Sequence, residues 1–212
     1  MAGKRCNPKQ ILMRPLLILF AATAAALMLA GCIVQSLNPY YTKESISEIP
    51  GIEGEWNLLG DNEKQQPVKP WLFGKEKILT YDERGTQGML KAVYFRAGES
   101  FFLDTTAEEP SKETNEYWVM HVFPVHLVTR VDIHEDKLTL TPIDYSWLEK
   151  AIKAGDVNLP HIMQKEENSL IFTASAEEWM GFLKKYSNDK DAFPAAKAMS
   201  FVRFKGSVEK GK

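Results

Sequence analysis

The chain has 212 residues, with 26 basic and 28 acidic side chains, two cysteines and a hydrophobic content of 44%, a balance that fits a globular domain with an apolar core. The slight excess of acid argues against a nucleic-acid partner held by bulk basicity. Two cysteines are too few for a disulfide framework.

The first thirty-one residues hold Lys4, Arg5, Lys9 and Arg14 and no acid, followed by an apolar run from Leu16 to Ala30. A basic n-region, a short apolar h-region and small residues before a cut describe an export signal. The run is short for a membrane span, which needs roughly 20 predominantly apolar residues. The stretch ends in Leu29-Ala30-Gly31-Cys32, which resembles the lipobox of bacterial lipoproteins. That resemblance implies cleavage after residue 31 and acylation of Cys32. One acyl chain gives marginal membrane binding, at ~0.8 kcal/mol per buried CH2, whereas two or more hold a soluble domain on a bilayer. With Cys6 lost in the signal and Cys32 acylated, no disulfide remains, and stability has to come from the core. The mature chain of 181 residues keeps 22 bases against 28 acids, which argues against a polybasic membrane patch as well. In enterobacterial lipoproteins an Asp after the lipidated cysteine retains the protein at the inner membrane. Ile33 stands there in this chain, so the resemblance favours the periplasmic side of the outer membrane in a diderm source.

Residues 32–50 lack sustained periodicity and end in Pro50-Gly51. They read as a lipidated tether, the eighteen residues after Cys32 reaching at most about 60 Å at roughly 3.3 Å each; docking of Asn38-Pro39-Tyr40-Tyr41 on the domain is the alternative. A single β-rich domain is expected over 51–205, with a solvated tail over 206–212. Ile52, Gly54, Trp56 and Leu58 alternate with polar residues, the period of two of a half-buried strand. Further strands are predicted over 77–81, 88–96, 101–105, 137–143, 169–173 and 199–204. Short turns between them, such as 82–85, 97–99 and 134–136, join antiparallel neighbours. The longest alternating run is 117–133, with Tyr117, Val119, His121, Phe123, Val125, Leu127, Val131 and Ile133 in one row. Pro124 within it is expected at a bend, bulge or edge, because it cannot donate to a ladder. The fold class predicted is mainly β, a curled antiparallel sheet or small β-barrel, with two short amphipathic helices. Asp144 caps the first, which Gly155 ends. Ser175 to Glu178 form a capping box for the second, whose stripe is Trp179, Phe182, Leu183 and Tyr186, expected against the sheet or across a barrel mouth.

Gly54-Glu55-Trp56 resembles the G-x-W signature of lipocalin-type barrels, in which the tryptophan closes one barrel end and an arginine late in the chain partners it. Arg203 in the last predicted strand is available for that part. A core tryptophan at a strand start, with no such role, reads the same residues equally simply, and the two helices depart from the lipocalin layout. More broadly, Leu37 to Thr42, Gly54 to Trp56, Pro124 to Val131, Lys137 to Asp144 and Trp147-Leu148 resemble a group of bacterial envelope lipoproteins. This resemblance implies architecture and location, and no reaction.

His121, His126, His134 and His161 are the remaining chemical lead. His121 and His126 differ by an odd number and fall on opposite faces of a regular strand, so solvated or core-rim roles are expected in place of a metal site. No G-x-S-x-G, S-x-x-K, H-E-x-x-H or Walker motif occurs; no catalytic residue, metal ligand or cofactor is expected. The sequence predicts a non-enzymatic, lipid-anchored envelope protein that binds another envelope protein or a small apolar ligand. The rival is an envelope hydrolase with a site around His121 and Asp144.

Overall fold

The structure is a computed structural model, and it describes residues 33–60, 69–82, 84–108, 123–164 and 169–205. Cys32 and its lipobox, His121 and the tail over 206–212 lie outside the described residues. The unit from Val34 onward contains all the elements below.

Eight strands form a closed antiparallel barrel: β2 (Gly54–Leu58), β3 (Trp71–Phe73), β4 (Lys77–Tyr81), β5 (Gln87–Ala97), β6 (Ser100–Ala107), β7 (Leu127–His134), β8 (Lys137–Pro142) and β11 (Met199–Arg203). β2 to β8 run as a meander in chain order, and β11 returns to pair with both β8 and β2. Closure removes the exposed edges that an open sheet would present. A second sheet has the order β1-β10-β9, with β1 (Gln35–Ser36) parallel to β10 (Ser169–Phe172) and β10 antiparallel to β9 (His161–Gln164). The predicted β-barrel with two helices is the fold observed. β1, β3 and β9 are the strands that the alternation pattern leaves out, each being four residues or fewer.

The helices form where their caps dictate. Asp144 accepts from the Trp147 N–H at the start of α1 (Tyr145–Ala154), and Gly155 ends it at φ 82°. At α2 (Ala176–Tyr186) the Ser175 side chain accepts from the Glu178 N–H while Glu178 caps the Ser175 N–H in return. Among the described residues no helix is long and apolar enough to cross a membrane.

Two cores result. The barrel interior is filled by Trp56, Phe73, Ile78, Tyr94, Leu103, Val131, Leu138, Leu140 and Phe201, as expected for eight strands, whose interior is just wide enough for side chains. The second core lies outside the wall. There Phe95, Ala97, Phe102 and Val128 meet Tyr40, Leu148, Phe172, Trp179, Phe182, Leu183 and Phe193. The α2 stripe thus packs on the outer face of the sheet. Strands buried on both faces explain why β5 and β6 carry aromatics at consecutive positions, Tyr94-Phe95 and Phe101-Phe102.

The expected tether is corrected for residues 34–50. Val34, Tyr40 and Ile49 are buried, Ser36 is fully so, and β1 is paired to β10. The cause is that Tyr40 and Ile49 each enter an apolar core, at separate points that leave no periodic signature. In the 117–133 run, residues 117–122 lie outside the described set. Pro124 precedes the strand; Val131 and Ile133 face the interior core as expected, but Val128 on the opposite face is buried in the outer core.

Candidate functional site

One end of the barrel is crossed by a strap, Ile46 to Glu53. β4 pairs with β5 only as far as Lys91. Beyond it the strap takes over the free edge of β5: Ile46 bridges Phe95, and the Ser47 N–H donates to the Tyr94 carbonyl at 3.0 Å. Ile49 and Ile52 drop from the strap into the interior core. Below it, the Arg203 guanidinium lies 4.1 Å from the centre of the Trp56 ring and donates to the Glu53 and Gly51 carbonyls. The Trp56 indole N–H donates to the Ile52 carbonyl at 2.8 Å. Gly54 sits at φ 122°, and a Cβ there would come within 3.1 Å of Arg203 Nη1. In the G-x-W stretch the glycine therefore makes room for the arginine side chain.

Between the strap, the β3–β4 turn and β5 lies a half-open cleft of about 860 Å³, within the usual 300–1,000 Å³ of small-molecule sites. Its apolar surface comes from Ile46, Ile49, Ile52, Ala92 and Tyr94, and Lys75, Lys77, Lys91, Glu48 and Glu53 stand around it. Lys77 and Lys91 are direct cross-strand partners, an arrangement of like charges that costs stability unless an anion sits nearby. Glu108 supplies one by pairing with Lys77. Glu48 and Lys75 approach across the lip at 3.9 Å, both well exposed, so this contact is weak and easily parted. The Tyr94 hydroxyl donates to the Gly74 carbonyl at 2.8 Å. Burial first, and the Glu53 carboxylate second, push its pKa far above the usual tyrosine value, so it remains a neutral donor.

A second polar cluster lies on the outer wall. Asp104, 2% exposed, accepts from the Tyr40 N–H at 2.9 Å and contacts His126 Nδ1 at 2.8 Å. His126 also bridges Ser36 through both backbones, and Ser36 Oγ accepts from the Trp179 indole and donates to the Asn38 carbonyl. This is a clamp on the N-terminal segment, holding residues 36–40 to β6, to His126 before β7 and to α2. Burial and, secondarily, Asp104 raise the Tyr40 pKa well above its ordinary value.

The other sequence-level candidates are dispersed. His134 is exposed at the end of β7, and His161 is exposed on β9 with its ring bonded to the Leu159 carbonyl. Asp144 caps α1 and pairs with Lys197 at 2.7 Å. Among the described residues no three His, Cys, Asp or Glu side chains converge as metal ligands. The cleft residues escaped sequence reasoning, because Ile49 and Ile52 are isolated anchors and Ile46 stays exposed. No family model, curated protein or solved structure matches the chain.

Proposed function

We propose that this chain is a lipid-anchored protein of the cell envelope, acylated at Cys32 after removal of residues 1–31, and that it works as a non-enzymatic binding module. The outer membrane is its place in a diderm source, since Ile33 follows the cysteine. The observation that carries the binding role is the strap cleft. The barrel interior is filled with side chains, so a ligand has no room there, whereas the cleft offers about 860 Å³ of partly apolar space. Its apolar floor and a lip carrying Lys75, Lys77 and Lys91 beside Glu48, Glu53 and Glu76 suit a small amphiphile with an apolar body and a polar head.

The test uses anilinonaphthalene sulfonate as the probe with the intact, cell-derived protein. Saturable binding at one site is expected, and Ile46→Asp, at an exposed strap position, weakens it about tenfold, the ~1.4 kcal/mol scale of one lost apolar contact. Equal binding by both proteins overturns the cleft as the site. Intact mass showing residues upstream of Cys32, or no acyl adduct, overturns the anchor.

The Asp104–His126 contact favours a second reading, an envelope hydrolase. His126→Ala followed by labelling with a fluorophosphonate probe tests it: loss of labelling supports hydrolysis, and unchanged or absent labelling removes it.

A further inference from the structure

A short leash follows from the docked N-terminal segment. Val34 is 4% exposed and Ser36 is fully buried, both fixed to the domain body. Only Ile33 lies between Val34 and Cys32, and the two residue steps reach about 7 Å at roughly 3.3–3.6 Å each. A lipid on that thiol leaves the domain no freedom to hang at the distance an eighteen-residue tether would allow.

The surface that carries this leash is the β1-β10-β9 sheet. Gln35, Ile171 and Ile162 are successive partners across it, so they form one row on one face. The alternate residues Ser36, Leu170 and Phe172 are buried toward the outer core, which turns the Gln35-Ile171-Ile162 row away from the body. Ile162 is 53% exposed. The three strands read QS, HIMQ and SLIF: they contain no Asp, Glu, Lys or Arg, although such residues make up 25% of the chain. An edge strand facing water is ordinarily protected by charge; β9 has none.

Resting on acylation of Cys32, we infer that the outer face of the β1-β10-β9 sheet is a seat on the lipid bilayer. The acyl chains supply the affinity, and the sheet sets the orientation, since its three strands bring no Asp, Glu, Lys or Arg among the described residues to be desolvated. The occupant is lipid and not a partner's strand, because the row begins at Gln35, three residues from the point of acylation.

The experiment takes the acylated full-length protein in vesicles of phosphatidylethanolamine with a minor fraction of phosphatidylglycerol, doped with nitroxide-bearing lipid. With Cys32 acylated, Ile162→Cys or Leu72→Cys offers a single free thiol for a fluorophore. Leu72 is an exposed residue of β3, four strands from β7 in either direction around the barrel. Quenching severalfold stronger at position 162 than at 72 is expected. Equal quenching at the two positions, or crosslinking of position 162 to another protein in intact envelopes, overturns the seat while leaving the anchor in place. Flotation of the vesicles without the wild-type protein, or with Cys32→Ser as well as wild type, brings down the acylation reading instead and the seat with it.

Discussion

The two cores share the same strands and are assembled in opposite ways. The interior core is lined mainly by neighbours in a meander, so apart from Ile49, Ile52 and Phe201 its side chains meet partners supplied by the next strand in the chain. The outer core brings together Tyr40, Phe95, Phe102, Phe172, Trp179 and Phe193, from five separated stretches of sequence. Trp179 is its hub: its ring lies 4.4 Å from Tyr40, 5.2 Å from Phe172 and 5.6 Å from Phe182, and its indole N–H is bonded to Ser36. The difference teaches that the barrel can be defined by local pairing, while the layer around it depends on a few long-range contacts made by large rings.

Trp179→Ala breaks that comparison most directly. A loss of about 3–5 kcal/mol is expected, read from urea unfolding, with hydrogen exchange showing lost protection in α1, α2 and β10 while β5 and β6 keep theirs. Uniform loss of protection in both regions would show the cores to be one cooperative unit. Asp104→Asn comes next, at about 2 kcal/mol, because it weakens two bonds to a buried carboxylate. Limited proteolysis checks it, with cleavage expected within residues 34–50 first. On the barrel side, Arg203→Met removes the cover of Trp56 and the bonds to the strap carbonyls. An expected cost of about 1–2 kcal/mol should leave the outer layer intact by exchange.

Ser175→Ala should cost about 1 kcal/mol through the lost cap of α2, detectable as a shift in thermal midpoint. The smallest effect concerns acid. Burial opposes ionisation of Asp144, but Lys197 and the Trp147 N–H outweigh it and hold the carboxyl below its ordinary value. A depressed carboxylate contributes stability that is present above its unfolded pKa and fades as pH falls through the folded one. Asp144→Asn should therefore flatten the decline in stability below about pH 4, measured as urea midpoints across pH.

What the sequence discloses follows the range of the interactions. Both helices, with the Asp144 and Ser175 caps and the Gly155 stop, were legible because capping acts within three or four residues. The strands β2 and β4 to β8 were legible from alternation and short turns. A barrel was among the expected forms, but the pairing that closes it was not legible, since Phe201 pairs with Leu138 and Leu58, and no local pattern encodes a partner at that separation. The burial of Tyr40 and Ile49 was equally hidden, because single anchors have no period. The cleft inherits that difficulty, being made of the strap and two strands that meet only after folding.

The position of β11 has a consequence for how the molecule comes into being. The stave that completes the cylinder, Met199–Arg203, is synthesised last and is separated from its neighbour β8 by the whole α1-to-α2 excursion. Until it arrives, β2 and β8 both present unpaired ladders, the feature by which sheets recruit foreign strands. A product broken off anywhere before Met199 thus carries two sticky seams at once. Arrival of β11 is in that sense the step that seals the cylinder against foreign strands.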